Sequence, residues 1–179
     1  MGVYKEVARL SPVDAAYIAG LIDGEGTITL SRRHAKDRRQ LVVSIANTEI
    51  AILEFVLHCS HAGKITRKRV SAAHHTPSFA FCTSNRQALE LLRQVAPYLR
   101  SHKRERAQLV LDEYLKAVPR NGKYSPQLEA MRLSFENRFF AMTARSGGDH
   151  SRVNIEHAAA SAAQTPVSIC TSRPRIRRA

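Results

Sequence analysis

Glu25 is a carboxylate with glycine on either side, Gly24 before it and Gly26 after it, and Asp23 stands just upstream. Glycine admits backbone conformations closed to other residues, so an acid between two of them can be presented on a sharp turn. Carboxylates and backbone carbonyls hold hard divalent cations, and such cations, often paired about a phosphodiester, activate water, neutralise the phosphate and help the leaving oxygen depart. The chain contains this pattern once and so supplies one such acid. A second cluster of donors, His58-Cys59-Ser60-His61, falls on a predicted helix with no further ligand pair nearby, which is short of a structural zinc site. His74 and His75 read as loop surface.

The elements that must position Glu25 are legible on both sides of it. Ser11 suits a helix N-cap, Pro12 the first helical position, and Asp14 the first turn, where the helix dipole favours an anion. Along this helix Ala15 and Ala19 form one small-residue stripe, Ala16 and Gly20 another. Residues at that spacing share a face, so another backbone can come close. Beyond Gly26, Thr27-Ile28-Thr29-Leu30-Ser31 alternates polar and apolar like a half-buried strand. The acid therefore stands at the end of a close-packing helix, beside the start of a sheet.

Ile18-Ala19-Gly20-Leu21-Ile22-Asp23-Gly24-Glu25-Gly26 resembles, over all nine positions, the LAGLIDADG motif of homing endonucleases. Ile stands for the first Leu, Gly for the Ala-type position and Glu for the final acid.

The rest of the chain reads in order as follows. A first strand from Thr27 to about Arg33 puts Ile28 and Leu30 inward, with Thr27, Thr29, Ser31 and Arg33 outward. A polar connection leads to a second strand, Gln40 to Ala46, making a hairpin whose hydroxyls, amides and arginines suit major-groove base edges. Asn47-Thr48 caps a helix from Glu49 to about His61, which Gly63 ends. Lys64 to Arg69 is a basic third strand, and Phe79 to Cys82 a short fourth whose inward face is open, both sets being apolar. Helices follow from Arg86 to Val95 with Ser84-Asn85 as cap, from about Ser101 to Val118, and from Pro126, where Leu128, Met131, Phe135, Phe139 and Met142 form a stripe. From Ser146 the patterning collapses into a tail with a basic end. The expectation is an α+β domain over residues 1–145 and a flexible basic tail over 146–179. The order of elements matches the αββαββα core of the LAGLIDADG fold, an antiparallel saddle-shaped sheet backed by helices, with further C-terminal helices.

Composition narrows the partner. Lys+Arg 28 against Asp+Glu 15 gives a formal net charge of +13 over 179 residues, which points to polyanions, chiefly nucleic acid. Cys59, Cys82 and Cys170 are odd in number and lack CxxC pairing, which fits a reducing compartment, a bacterial cytoplasm or an organelle. No apolar run reaches a membrane span of about 20 residues.

The resemblance implies more than the composition does. Glu25 and the Gly24 carbonyl would bind Mg²⁺ (or Mn²⁺), Asn47 would organise water near the metal, and Lys103 would stabilise developing charge. One extra residue at Ser101-His102 leaves His102 or Arg100 as alternatives for that basic position, and Ala51 stands where some relatives carry a basic residue. Asp23 would cap or brace the turn rather than bind metal. Contacts to double-stranded DNA would come from Thr29, Ser31, Arg33, Arg38, Gln40, Ser44, Thr66 and Lys68. Single-motif members are homodimers, so Ala16, Ala19 and Gly20 would form an interface that brings two Glu25 carboxylates together. The implied activity is site-specific, metal-dependent double-strand cleavage at a long near-palindromic target. The alternative is a silent relative, an RNA maturase acting on intron RNA or a DNA-binding regulator. A basic ribosomal-type protein would share the charge but not the motif.

Overall fold

The structure is a computed structural model that describes residues 6–32, 34–68, 76–119 and 122–144. The expected tail lies outside the described residues, which all fall in the first of two units of the chain, Met1–Ser146. Helix α1 spans Pro12–Glu25 and begins as its sequence dictates: Ser11 Oγ accepts from the Asp14 N–H at 3.1 Å and donates to the Asp14 carboxylate at 2.7 Å. It ends where the Gly26 N–H donates to the Ile22 carbonyl. A Cβ at position 26 would lie 2.5 Å from Ile22 Cα, so only glycine lets the chain pass directly from helix into strand.

Strand β1 (Gly26–Ser31) pairs antiparallel with β2 (Gln40–Asn47), from Gly26 opposite Ile45 to Ser31 opposite Gln40. Helix α2 (Ile50–Ser60) leads to β3 (Lys64–Arg67), and β4 (Phe79–Ser84) to α3 (Asn85–Val95). A short 3₁₀ turn at Ala96–Tyr98 precedes α4 (Lys103–Ala117) and α5 (Pro126–Ala144). The αββαββα order is thus present, with two further helical elements behind it. Some boundaries differ. Helix α2 ends on His61, in the left-handed region at φ 53°, and not on Gly63. Gly63 (φ 93°) serves a different need, since a Cβ there would meet the Phe81 ring at 2.8 Å. Asn47 caps no helical turn; its Oδ1 accepts from the Glu49 N–H at 2.9 Å, a local turn before α2.

The four strands form one antiparallel sheet in the order β1-β2-β4-β3. Directly opposed residues share a face, so the register sorts every side chain. Ile28, Leu30, Leu41, Val43, Ile45 and Phe81 are buried in a core shared with Ile18, Ala19, Ile22, Leu53, Val56 and Leu92. This settles β4: Phe81 and Thr83 point inward, Ala80, Cys82 and Ser84 outward. Helices therefore back one face, and the other carries no element of the described chain.

Helix α5 closes the far side of the domain. Phe135 and Phe139 are buried against α4, with Tyr114 edge-on to Phe135 at 6.2 Å. Arg132 is buried and donates to the Tyr124 hydroxyl, the Arg39 carbonyl and, at 3.0 Å, Glu136. Arg39 pairs with the same Glu136 at 3.3 Å, so α5 grips the connection between β1 and β2.

Candidate active site and nucleic-acid interface

Glu25 is exposed at the last position of α1, where β1 begins. It shares a small open cleft of about 340 Å³ with Ala46, Asn47, Thr48 and Ser78, so Glu25 and Asn47 are brought together from separate elements. Beside it, Lys103 Nζ donates to the Ile22 carbonyl at 2.8 Å and to the Asp23 carbonyl at 2.9 Å. The last carbonyls of a helix lack intrahelical partners, and a cation there also meets the negative end of the helix dipole. Of the three residues left open for the basic position, Lys103 is the one whose side chain reaches the end of α1; His102 and Arg100 are exposed.

Burial lowers the Lys103 pKa below its usual value, opposed by the charge of Asp23, reinforced by Arg106 and opposed again by Glu25. Arg106 lies one turn further along α4, buried 5.6 Å from the Phe139 ring centre, and its Nε has no hydrogen-bond partner among the described residues. Asp23 is a brace, but to a distant segment and not within its own turn. Its carboxylate accepts from the Arg100 N–H at 2.6 Å, the Ser101 hydroxyl at 2.6 Å and the Ser101 N–H at 3.3 Å, fixing the approach to α4. Burial alone would raise its pKa, but the Ser101 and Arg100 hydrogen bonds, with Lys103, outweigh that and hold it below the ordinary value.

No group of three or more His, Cys, Asp or Glu side chains that could hold a metal ion exists among the described residues. His58 and His61 stand ring to ring at 6.0 Å without a further ligand set. Glu25 with the Gly24 carbonyl is an oxygen donor pair of the chemistry that suits a hard divalent cation.

The open sheet face gathers most of the expected contact residues. Thr27, Ser44, Cys82 and Lys64 make one row across the strands; Thr29, Val42 and Ser84 make the next; Ser31 opposes Gln40, and Thr66 lies in line with Ala80 and Ala46. Gln40 is held: its Oε1 accepts from Asn85 Nδ2 at 2.9 Å, and Asn85 Oδ1 accepts from the Tyr114 hydroxyl at 3.0 Å. Lys68 follows β3, its N–H bonded to the Ser78 carbonyl. Arg38 does not join this face. It lies over the Tyr124 ring at 4.1 Å and pairs with Glu129 of α5 at 3.0 Å, because the β1–β2 connection folds back onto that helix. Arg33 lies outside the described residues.

The two small-residue stripes of α1 part ways. Ala15 and Ala19 are buried in the protein's own core, Ala19 at 0%, so Ala19 is not available as an intersubunit contact. Ala16 and Gly20 are exposed, and nothing lies within 4 Å of a Cβ built at Gly20 or Gly24. Exposed Val13 and Tyr17 extend this outer stripe, with Phe55 of α2 edge-on to Tyr17 at 5.3 Å. Sequence reasoning passed over these three and over the Asn85–Tyr114 link. Val13 and Tyr17 follow from the spacing of Ala16 and Gly20, whereas Asn85 looked like an ordinary cap.

No protein-family model matches the sequence, and no curated protein matches it. Solved structures do. The chain is similar to the homing endonuclease I-CvuI in complex with its target, at 20% identity and a TM-score of 0.60 over 79% of this chain and 87% of that one. It is similar to the LAGLIDADG homing endonuclease I-GzeII in complex with a DNA target, at 15% identity and a TM-score of 0.52, over 93% of this chain and 55% of that one. The meganuclease I-SmaMI bound to uncleaveable DNA gives 14% and 0.52, with 78% and 46% covered. The chain therefore has the LAGLIDADG homing-endonuclease fold, and its motif occupies the helix that carries Glu25. It spans most of I-CvuI and about half of the other two chains.

Proposed function

We propose that this chain is a site-specific DNA endonuclease of homing type, working as a homodimer with a divalent cation, Mg²⁺ in the first instance. The observation that carries the proposal is the position of Glu25: an exposed carboxylate at the end of α1, at the margin of an open polar sheet face, with an ammonium seated on the adjoining carbonyls. The surplus of +13 suits a duplex lying on that face. Thr29, Ser31, Gln40, Ser44 and Thr66 would read base edges there, while phosphate contacts hold the register.

Pairing is supported by the exposed stripe of Ala16, Gly20 and Gly24, which no other part of the described chain covers. Two copies joined along α1 would set two Glu25 carboxylates and two Gly24 carbonyls side by side, completing the donor set. A divalent cation held there would neutralise charge on the phosphate and lower the pKa of its bound water. The I-CvuI complexes were formed in the presence of 2 mM Ca or 2 mM Mg, in keeping with such a site. Asn47 would orient water from the neighbouring element. Lys103 spends two of its donors on α1 carbonyls and keeps one for a phosphate oxygen. Its lowered pKa suits it to release a proton towards the leaving oxygen.

Cleavage of a randomised DNA library with Mg²⁺ tests this, comparing the intact protein with Glu25→Gln. Discrete, near-palindromic products that vanish in the variant are expected. Tight binding without cutting by either protein would instead favour a regulator or an intron-RNA maturase.

A further inference from the structure

A second cleft, larger than the one at Glu25, opens on the described surface. It lies at the opposite end of the sheet, about 1000 Å³ in volume, between the β1–β2 connection, the start of α3 and the start of α5. Lys36, Arg38, Arg39, Arg86 and Arg132 line it, against the single acid Asp37. Arg38, Arg39 and Arg132 are tethered through Glu129 and Glu136, which line the adjoining cleft. Lys36 and Arg86 form no ion pair among the described residues. Ser84, at the N-cap of α3, makes no side-chain cap bond, and the first turn of this 11-residue helix lines the same cleft. Helix N-termini and guanidinium clusters bind the same class of ligand, a phosphate.

The cleft is continuous with the open sheet face, because Gln40 and Ser84 belong to both. Strand β1 separates it from Glu25: six residues from Gly26 to Ser31, about 17 Å of strand. That is about five base-pair steps of duplex at roughly 3.4 Å each.

We infer that this cleft binds the phosphodiester backbone at the outer end of each DNA half-site, a sequence-independent grip with Lys36 and Arg86 as its contacts. The inference rests on the endonuclease reading of the sheet face. It differs from that reading in its predicted place, distant from the scissile bond, and in its indifference to sequence.

The test is binding, without divalent cation, of the target recovered by cleavage and of a scrambled duplex of equal length, by the intact protein and by Lys36→Ala/Arg86→Ala. The double variant is expected to bind both duplexes about tenfold more weakly, with the slope of log K against log salt reduced by about 4, two contacts being lost in each of the two half-sites. Target preference should be unchanged. On a duplex trimmed to about three base pairs either side of the centre, short of the cleft, the two proteins should bind alike. Circular dichroism checks the fold, and Lys36→Ala alone, an exposed change, stands in should the pair not fold, with about half the slope change expected. An unchanged slope, an equal loss on the trimmed duplex, or a loss confined to the target would each overturn the inference while leaving the endonuclease reading standing. Failure of the intact protein to bind either duplex would sink both.

Discussion

Helix α1 presents the same residue types on two sides, and the two sides meet different fates. On the inner side Ala15 and Ala19 let α1 sink against the sheet, and Asp23 has its oxygens filled by Arg100 and Ser101. On the outer side Ala16, Gly20 and Gly24 face nothing, and Glu25 is exposed. Small residues confer close approach only where something approaches. The inner stripe finds its partner within the chain, whereas the outer one has none among the described residues. The same holds for the acids: the satisfied carboxylate of Asp23 braces the fold, and that of Glu25 stays open to solvent.

Substitution on the two sides should separate these roles, most strongly on the inner one. Ala19→Arg forces an unpaired charge into a core position that is 0% exposed, a loss of about 4 kcal/mol or more. Denaturant unfolding should find the variant largely unfolded. Gly20→Arg, one residue on, meets open space in the single chain. It should keep its helical content and melting behaviour while sedimenting as a monomer that no longer cuts. A Gly20→Arg protein that remains dimeric would remove the outer stripe from the interface.

Gly24→Ala is a finer probe. A Cβ there touches nothing in one chain, and replacing glycine by alanine within a helix gains about 0.5–1 kcal/mol. At concentrations where the protein is monomeric its melting temperature should therefore rise slightly. If the helices of two copies cross near Gly24, the dimer dissociation constant should rise at the same time. Both quantities increasing together would place the crossing; a dimer as tight as before would move it towards Val13.

Much of this was legible in the residues. The Ser11-Pro12 start, the Gly26 stop and the alternation of Ile28 and Leu30 each follow from local chemistry, and they suffice to place Glu25. Local chemistry could not assign β4, where Phe79, Ala80, Phe81 and Cys82 are all apolar and only the pairing of Ile45 with Phe81 decides. Nor could it tell which of two equivalent stripes on α1 faces inward, since spacing fixes relative and not absolute direction. Arg38 shows the other limit. Its partner Glu129 is 91 residues away in sequence, and nothing near Arg38 indicates that α5 will draw it off the sheet face.

A further expected effect concerns the inner acid and depends on pH. Asp23 is held below its ordinary pKa of 3.8 by hydrogen bonds that favour its ionised form. In the window beneath that value the unfolded chain binds a proton that the folded chain does not, so stability falls as pH drops through the folded pKa and is fully present above the unfolded one. Asp23→Asn keeps one acceptor and loses the charge, which should cost about 1 kcal/mol near neutral pH. Unfolding curves of the two proteins should converge as the pH is lowered beneath about 4. Glu25→Gln, changed at the exposed acid on the same helix end, should stay within about 0.5 kcal/mol of the parent near neutral pH. A gap for Asp23→Asn that persisted in acid would mean that the brace acts through its shape and not its charge.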